Sequence, residues 1–81
     1  PFVVSPDGRY VFTIEGFTCY LIEIIENKVI WSENKIFGDR PVCFFSEDGS
    51  KIIINDPIIV LKSESGEEIF RLPKERPGYN A

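Results

Sequence analysis

Glu15 and Asp56 occupy matching places in the two halves of this 81-residue chain, and two carboxylates held about 5 to 9.5 Å apart can serve as acid and base across a glycosidic bond. Acids at loop ends are common and mostly solvated, so the pair carries this chemistry only if the fold makes it converge. Little else in the sequence has catalytic type and spacing. The chain has no histidine, which removes the usual proton shuttle near neutral pH and every Ser-His or Cys-His pair. Cys19 and Cys43 lie inside apolar runs; without histidine, two thiols fall short of the four ligands that close a zinc site. They read as buried, reduced thiols, although their even number permits one disulfide. Asp7-Gly8 lacks the alternating oxygen ligands of a calcium loop and reads as a turn. Trp31, the single tryptophan, is either a sugar-stacking platform or a packing residue; its match with Phe70 in a repeated strand favours packing. Arg9, Arg40, Arg71 and Arg76 are dispersed and form no phosphate clamp. The residues point to no metal, no cofactor and no catalysis.

The element that positions everything else is a turn that occurs twice. Ser5-Pro6-Asp7-Gly8-Arg9-Tyr10 returns 41 positions later as Ser46-Glu47-Asp48-Gly49-Ser50-Lys51, with apolar runs on both sides of each copy. Pro6 presets φ for the second position of a type I turn, the aspartate bonds the backbone ahead of it, and glycine takes the positive φ that closes the loop. Each copy therefore joins two strands of a hairpin.

After the first hairpin Glu15-Gly16 breaks the pattern, Cys19 to Ile25 resumes it, and Glu26-Asn27-Lys28 turns into Val29-Ile30-Trp31. The second copy runs through Ile52–Asn55, breaks at Asp56-Pro57, resumes over Ile58–Lys62, turns at Ser65-Gly66 and ends on Glu68–Leu72. Glu15-Gly16 matches Asp56-Pro57, and with two residues fewer in the second break, Asn27 matches Gly66 and Trp31 matches Phe70. The organisation is one domain of two repeats, 1–38 and 39–72, followed by a tail, 73–81, entered at Pro73. No stretch holds helical spacing, whereas Val42–Phe45, Ile52–Ile54 and Ile58–Leu61 are unbroken apolar runs, the mark of strands covered on both faces. The expected fold is all-β, with two four-stranded antiparallel meanders; the alternative is a single small β-sandwich or barrel.

At 43% hydrophobic residues the chain has enough apolar side chains to fold. At this length a domain buries only about 60 to 65 per cent of its unfolded surface. A net charge of −4 with scattered acids argues against a phosphate-binding surface, so no nucleic acid is expected. No long apolar run and no signal-like start are visible, so the expectation is a cytoplasmic chain without a membrane. Methionine is absent even from position 1, which fits either a removed initiator or a piece of a longer protein.

Val4-Ser5-Pro6-Asp7-Gly8-Arg9-Tyr10-Val11 resembles the Phe-Ser-Pro-Asp-Gly-Lys-x-Leu stretch of WD-repeat and related bacterial β-propeller blades, and the resemblance spans residues 2 to 72. There is no Gly-His pair before the first strand and no Trp-Asp at the end of the third, where Ile22-Glu23 and Leu61-Lys62 stand. The broader propeller family is therefore the name it supports. The resemblance implies that the Asp-Gly turns lie at one end, and that the second-to-third-strand loops and the linker lie at the other, which is the usual binding face. That face would carry Glu15, Phe17, Thr18, Asp39, Arg40, Asn55 and Asp56, as partner or ligand contacts or as plain solvated loops. The expected function is a non-catalytic protein-interaction module, part of a propeller or assembling into one by self-association. The alternative is a lectin-like oligomeric propeller that binds a small ligand or carbohydrate between blades.

Overall fold

Eight strands follow one another in the order the apolar runs dictate, and within each set of four every strand pairs with its sequence neighbours. A computed structural model of the chain describes residues 1–55 and 58–72; the Asp56-Pro57 break and the tail expected over 73–81 lie outside the described residues. The strands are β1 (Phe2–Val4), β2 (Tyr10–Glu15), β3 (Thr18–Glu23), β4 (Lys28–Asn34), β5 (Val42–Phe45), β6 (Lys51–Asn55), β7 (Ile58–Lys62) and β8 (Glu68–Leu72). They form two four-stranded antiparallel sheets, β1-β2-β3-β4 and β5-β6-β7-β8. The fold is all-β, as two meanders, and no strand of one sheet pairs with a strand of the other among the described residues.

The two copies share their hydrogen-bond pattern at the repeated turn, and the second adds one bond from the Ser50 hydroxyl to Asp48. In the first, the Ser5 hydroxyl donates to Asp7 Oδ1 at 2.7 Å and accepts from the Tyr10 amide, while the Arg9 amide donates to the same carboxylate oxygen. In the second, the Ser46 hydroxyl donates to Asp48 Oδ1 at 2.8 Å and accepts from the Lys51 amide, while the Ser50 amide donates to that carboxylate. Gly8 and Gly49 take φ of 77° and 79°, the left-handed region where a side chain is strained. The agreement extends to an irregularity: the ladder shifts register opposite Ile30 in β3–β4 and opposite Ile69 in β7–β8. One extra residue on the outermost strand is a β-bulge, which sharpens the local twist. Asn27 at φ 55° and Gly66 at φ 79° close the matching turns between these strands.

The sheets stack face to face. Phe12, Ile14, Cys19 and Leu21 from the first meet Cys43, Ile52, Ile54, Ile59 and Leu61 from the second, and all are buried. Fully burying a side chain of this size stabilises by about 1.5 to 3 kcal/mol, so this layer is the main cohesive element. Among the strands, the sheets approach most closely at the innermost pair, β1 and β5, whose backbones come within 8 Å.

Repeat equivalence shows which faces have met. Phe12, Cys19 and Leu21 correspond to Ile53, Ile58 and Val60, whereas the buried Ile52, Ile54, Ile59 and Leu61 correspond to Val11, Thr13, Tyr20 and Ile22. Successive strand residues point to opposite faces, so the first sheet buries one face of the repeat and the second sheet buries the other. The contact is front to back. Continuous apolar runs lead one to expect cover on both faces, yet each sheet here covers one and leaves Phe2, Val4, Val42, Phe44, Phe70 and Leu72 exposed.

Candidate functional site

The end of the stack expected to bind is the simpler of the two. Glu15 and Thr18 face each other across the β2–β3 ladder, with Gly16 at φ 64° turning the chain between them. Phe17 projects from this turn, 69% exposed, and its carbonyl accepts a hydrogen bond from the Lys35 amide at 2.8 Å. The Thr18 hydroxyl donates to Asn34 Oδ1 at 2.9 Å. Phe17 and Asp39 share a shallow recess of about 400 Å³ with Pro1, Ile14, Phe37 and Pro41. Arg40 is exposed beside it in the linker. Asn55 ends β6 opposite Val42. By strand alternation, Glu15 lies on the outer side of the first sheet and Asn55 on the outer side of the second, so two sheet layers separate them. Asp56 lies outside the described residues. Of the seven residues, then, the structure gathers Phe17 and Asp39 and sets Glu15 and Asn55 on opposite sides.

A larger cleft, of about 610 Å³, opens between the sheets at the other end, where the Asp-Gly turns stand. Its rim carries Asp7, Asp48, Lys51 and Lys62, and its walls include Tyr10 and Phe45. Both aromatic residues are half-buried against the core, and the Arg9 guanidinium sits 5.2 Å from the Tyr10 ring centre. The sequence reading missed this cleft because it treated the two turns as shape alone. The signal was there in one respect: the copies place Asp7 and Asp48 at the same end of two stacked sheets.

The rim carboxylates are acceptors and little else. Hydrogen bonds from the Ser50 amide and from the Ser46 and Ser50 hydroxyls pull Asp48 down to about 2, and the Ser5 hydroxyl and Arg9 amide lower Asp7 likewise. A general acid must carry a proton near the working pH, so these two groups hold fixed negative charge instead. Lys62 faces Glu67 at 3.3 Å.

Trp31 and a charged triad tie the sheets together beside the cleft. The indole N–H donates to the Ser63 carbonyl of the second sheet's turn at 2.7 Å, and the ring packs 6.0 Å from that of Phe12. Trp31 is thus a packing residue between repeats, as its match with Phe70 predicts. Farther along, Lys35 reaches Glu68 at 3.7 Å and Arg71 grips the same carboxylate with two hydrogen bonds. The guanidinium holds the Glu68 carboxyl below its usual range, and the carboxylate raises Arg71. Cys19 and Cys43 are free and buried, and burial pushes the Cys19 thiol up to about 11 and raises Cys43. Among the described residues, no three Cys, Asp or Glu side chains cluster as metal ligands. No helix among them is long and apolar enough to cross a membrane.

Compared with protein-family models, curated proteins and solved structures, the chain matches none.

Proposed function

We propose that the chain is a non-catalytic protein-interaction module built from two propeller-blade-like repeats. The observation that supports this most strongly is the outer face of the second sheet, where Phe44, Phe70 and Leu72 remain 46%, 52% and 50% exposed. Small proteins that keep contiguous apolar surface in water use it for contact with another macromolecule. The rim aspartates, held charged by the hydrogen bonds they accept, also favour binding over conversion. A pull-down with the immobilised chain tests the reading, with Phe44→Lys/Phe70→Lys as the comparison. Specific capture by the parent chain and loss in the variant supports it; equal capture by both overturns it.

A second reading, a carbohydrate or small-ligand site, is favoured by the cleft between the sheets, which pairs aromatic walls at Tyr10 and Phe45 with a polar rim. Sugars stack on aromatic faces and bond to fixed acceptors such as Asp7 and Asp48. Binding on a glycan array that is abolished by Tyr10→Ala would establish this reading, and an array without signal would remove it.

A further inference from the structure

We infer that the partner of the exposed sheet faces is a second copy of this chain, docked head to tail. The outer face of β5–β8 would lie on the outer face of the neighbour's β1–β4. The inference rests on the interaction-module reading and names its partner.

The argument comes from the contact already present inside one molecule. The first sheet buries the repeat face that carries Phe12, Cys19 and Leu21, and the second buries the opposite face. What remains outside is therefore a matched pair of surfaces. The second sheet still presents Phe44, Ile53, Ile58, Val60 and Phe70, the equivalents of Val3, Phe12, Cys19, Leu21 and Trp31, each of which packs into the interior. The first sheet still presents Val4, Val11, Thr13, Tyr20 and Ile22, the equivalents of Phe45, Ile52, Ile54, Ile59 and Leu61, which also pack into it. Each exposed face repeats, position for position, a face that is buried within the chain against the counterpart of the other. An unrelated partner would have no reason to match both.

The turns follow the same logic. Trp31 of the first sheet lies against the backbone of Gly66 in the second. The equivalents are Phe70 and Asn27, so Phe70 of one copy would lie against the Asn27 turn of the next. That turn shares the positive φ of Gly66 and bears Ile24 and Ile25, 44% and 81% exposed. A single front-to-back contact leaves one face of each kind free, so contacts of this type are all satisfied only when the steps close into a ring. Approach at β1 and β5, with the outer strands farther apart, makes each step a wedge that turns about the inner strands. Two to four copies would give the four to eight sheets of a closed ring.

Light scattering on the full chain, combined with two variants, tests this. The parent should show a mass two to four times 9.3 kDa. Phe44→Lys/Phe70→Lys blocks one face and Val4→Lys/Val29→Lys the other, all at exposed positions, and each variant alone should be monomeric with an unchanged far-ultraviolet spectrum. Mixed in equal amounts, the two variants should form a one-to-one dimer, since one intact face of each kind survives. Should either variant fail to fold, Asn27→Cys/Phe70→Cys should give an oxidised ladder linked between chains, through the pair that corresponds to Trp31 and Gly66. A parent that is monomeric at micromolar concentration overturns the inference; capture of a different protein in the pull-down would then leave the interaction reading standing without it. Variants that stay assembled singly, or a mixture that stays monomeric, also overturn it.

Discussion

A β-carbon built on Gly66 would sit 2.7 Å from the indole ring of Trp31, a contact that joins the β7–β8 turn to the outermost strand of the other sheet. Gly66 also has φ of 79°, so a side chain there is opposed by the backbone and by the ring together. The left-handed conformation alone costs about 1 to 2 kcal/mol, and overpacking adds a similar amount. Gly66→Ala should destabilise the fold by about 2 kcal/mol or more, read as a lower urea midpoint. An unchanged midpoint would mean that ring and turn separate freely.

The repeated turns provide the control for that measurement. A β-carbon at Gly8 meets nothing within 4 Å, and one at Gly49 meets only the Pro6 ring at 3.6 Å. Gly8→Ala and Gly49→Ala should each cost about 1 kcal/mol, from backbone conformation alone. Both should fall short of Gly66→Ala. A loss at Gly8 as large as that at Gly66 would place the strain elsewhere than in the Trp31 contact.

Acid should weaken the fold through the same turns. Asp48 is lowered from 3.8 to about 2 and Asp7 is lowered too, so in both the folded-state pKa lies below the unfolded one. A group shifted this way stabilises above its unfolded pKa, and the contribution disappears as pH falls through the folded value. The urea midpoint should therefore hold steady from neutral pH down to about 5 and drop between there and about 2. Asp48→Asn should lower the midpoint at neutral pH and flatten part of the acid decline. An acid limb identical in parent and variant would remove Asp48 from the account.

Much of this architecture was legible because the repeat supplies its own check. The Ser-x-Asp-Gly turns, the break at Glu15-Gly16 and the match of Trp31 with Phe70 placed all eight strands and assigned Trp31 to packing. The face that each sheet buries was not legible, since Val42–Phe45 and Ile58–Leu61 are apolar on both sides and alternation then carries no direction. The cleft was missed for a related reason: its walls, Tyr10 and Phe45, come from different sheets, and only the stacking brings them to one opening. The candidate loop residues were placed at one end by topology, but strand alternation sends Glu15 and Asn55 outward on opposite sides, which no spacing along the chain conveys.

The cysteines should report on the contact between the sheets. Cys19 has no exposed surface and Cys43 is 9% exposed, and both sit in the layer that joins the two repeats. Only the thiolate attacks a disulfide reagent, and burial raises Cys19 to about 11 and Cys43 in the same direction. In the native protein at pH 8 a disulfide reagent should therefore label Cys19 far more slowly than a free thiol, with Cys43 ahead of it, and urea should bring both to full reaction. Raising the pH to 9 should speed Cys19 labelling by about tenfold, against about threefold for an exposed thiol near 8.5, because the Cys19 thiolate is still far from saturation. Ile59→Ala removes packing from the layer that holds both residues and should accelerate both reactions together, since a buried methyl-rich side chain truncated in a core costs about 2 to 5 kcal/mol. Prompt stoichiometric labelling of Cys19 in the folded parent would show that the two sheets part readily, and would overturn the stacked arrangement as the chain's stable form.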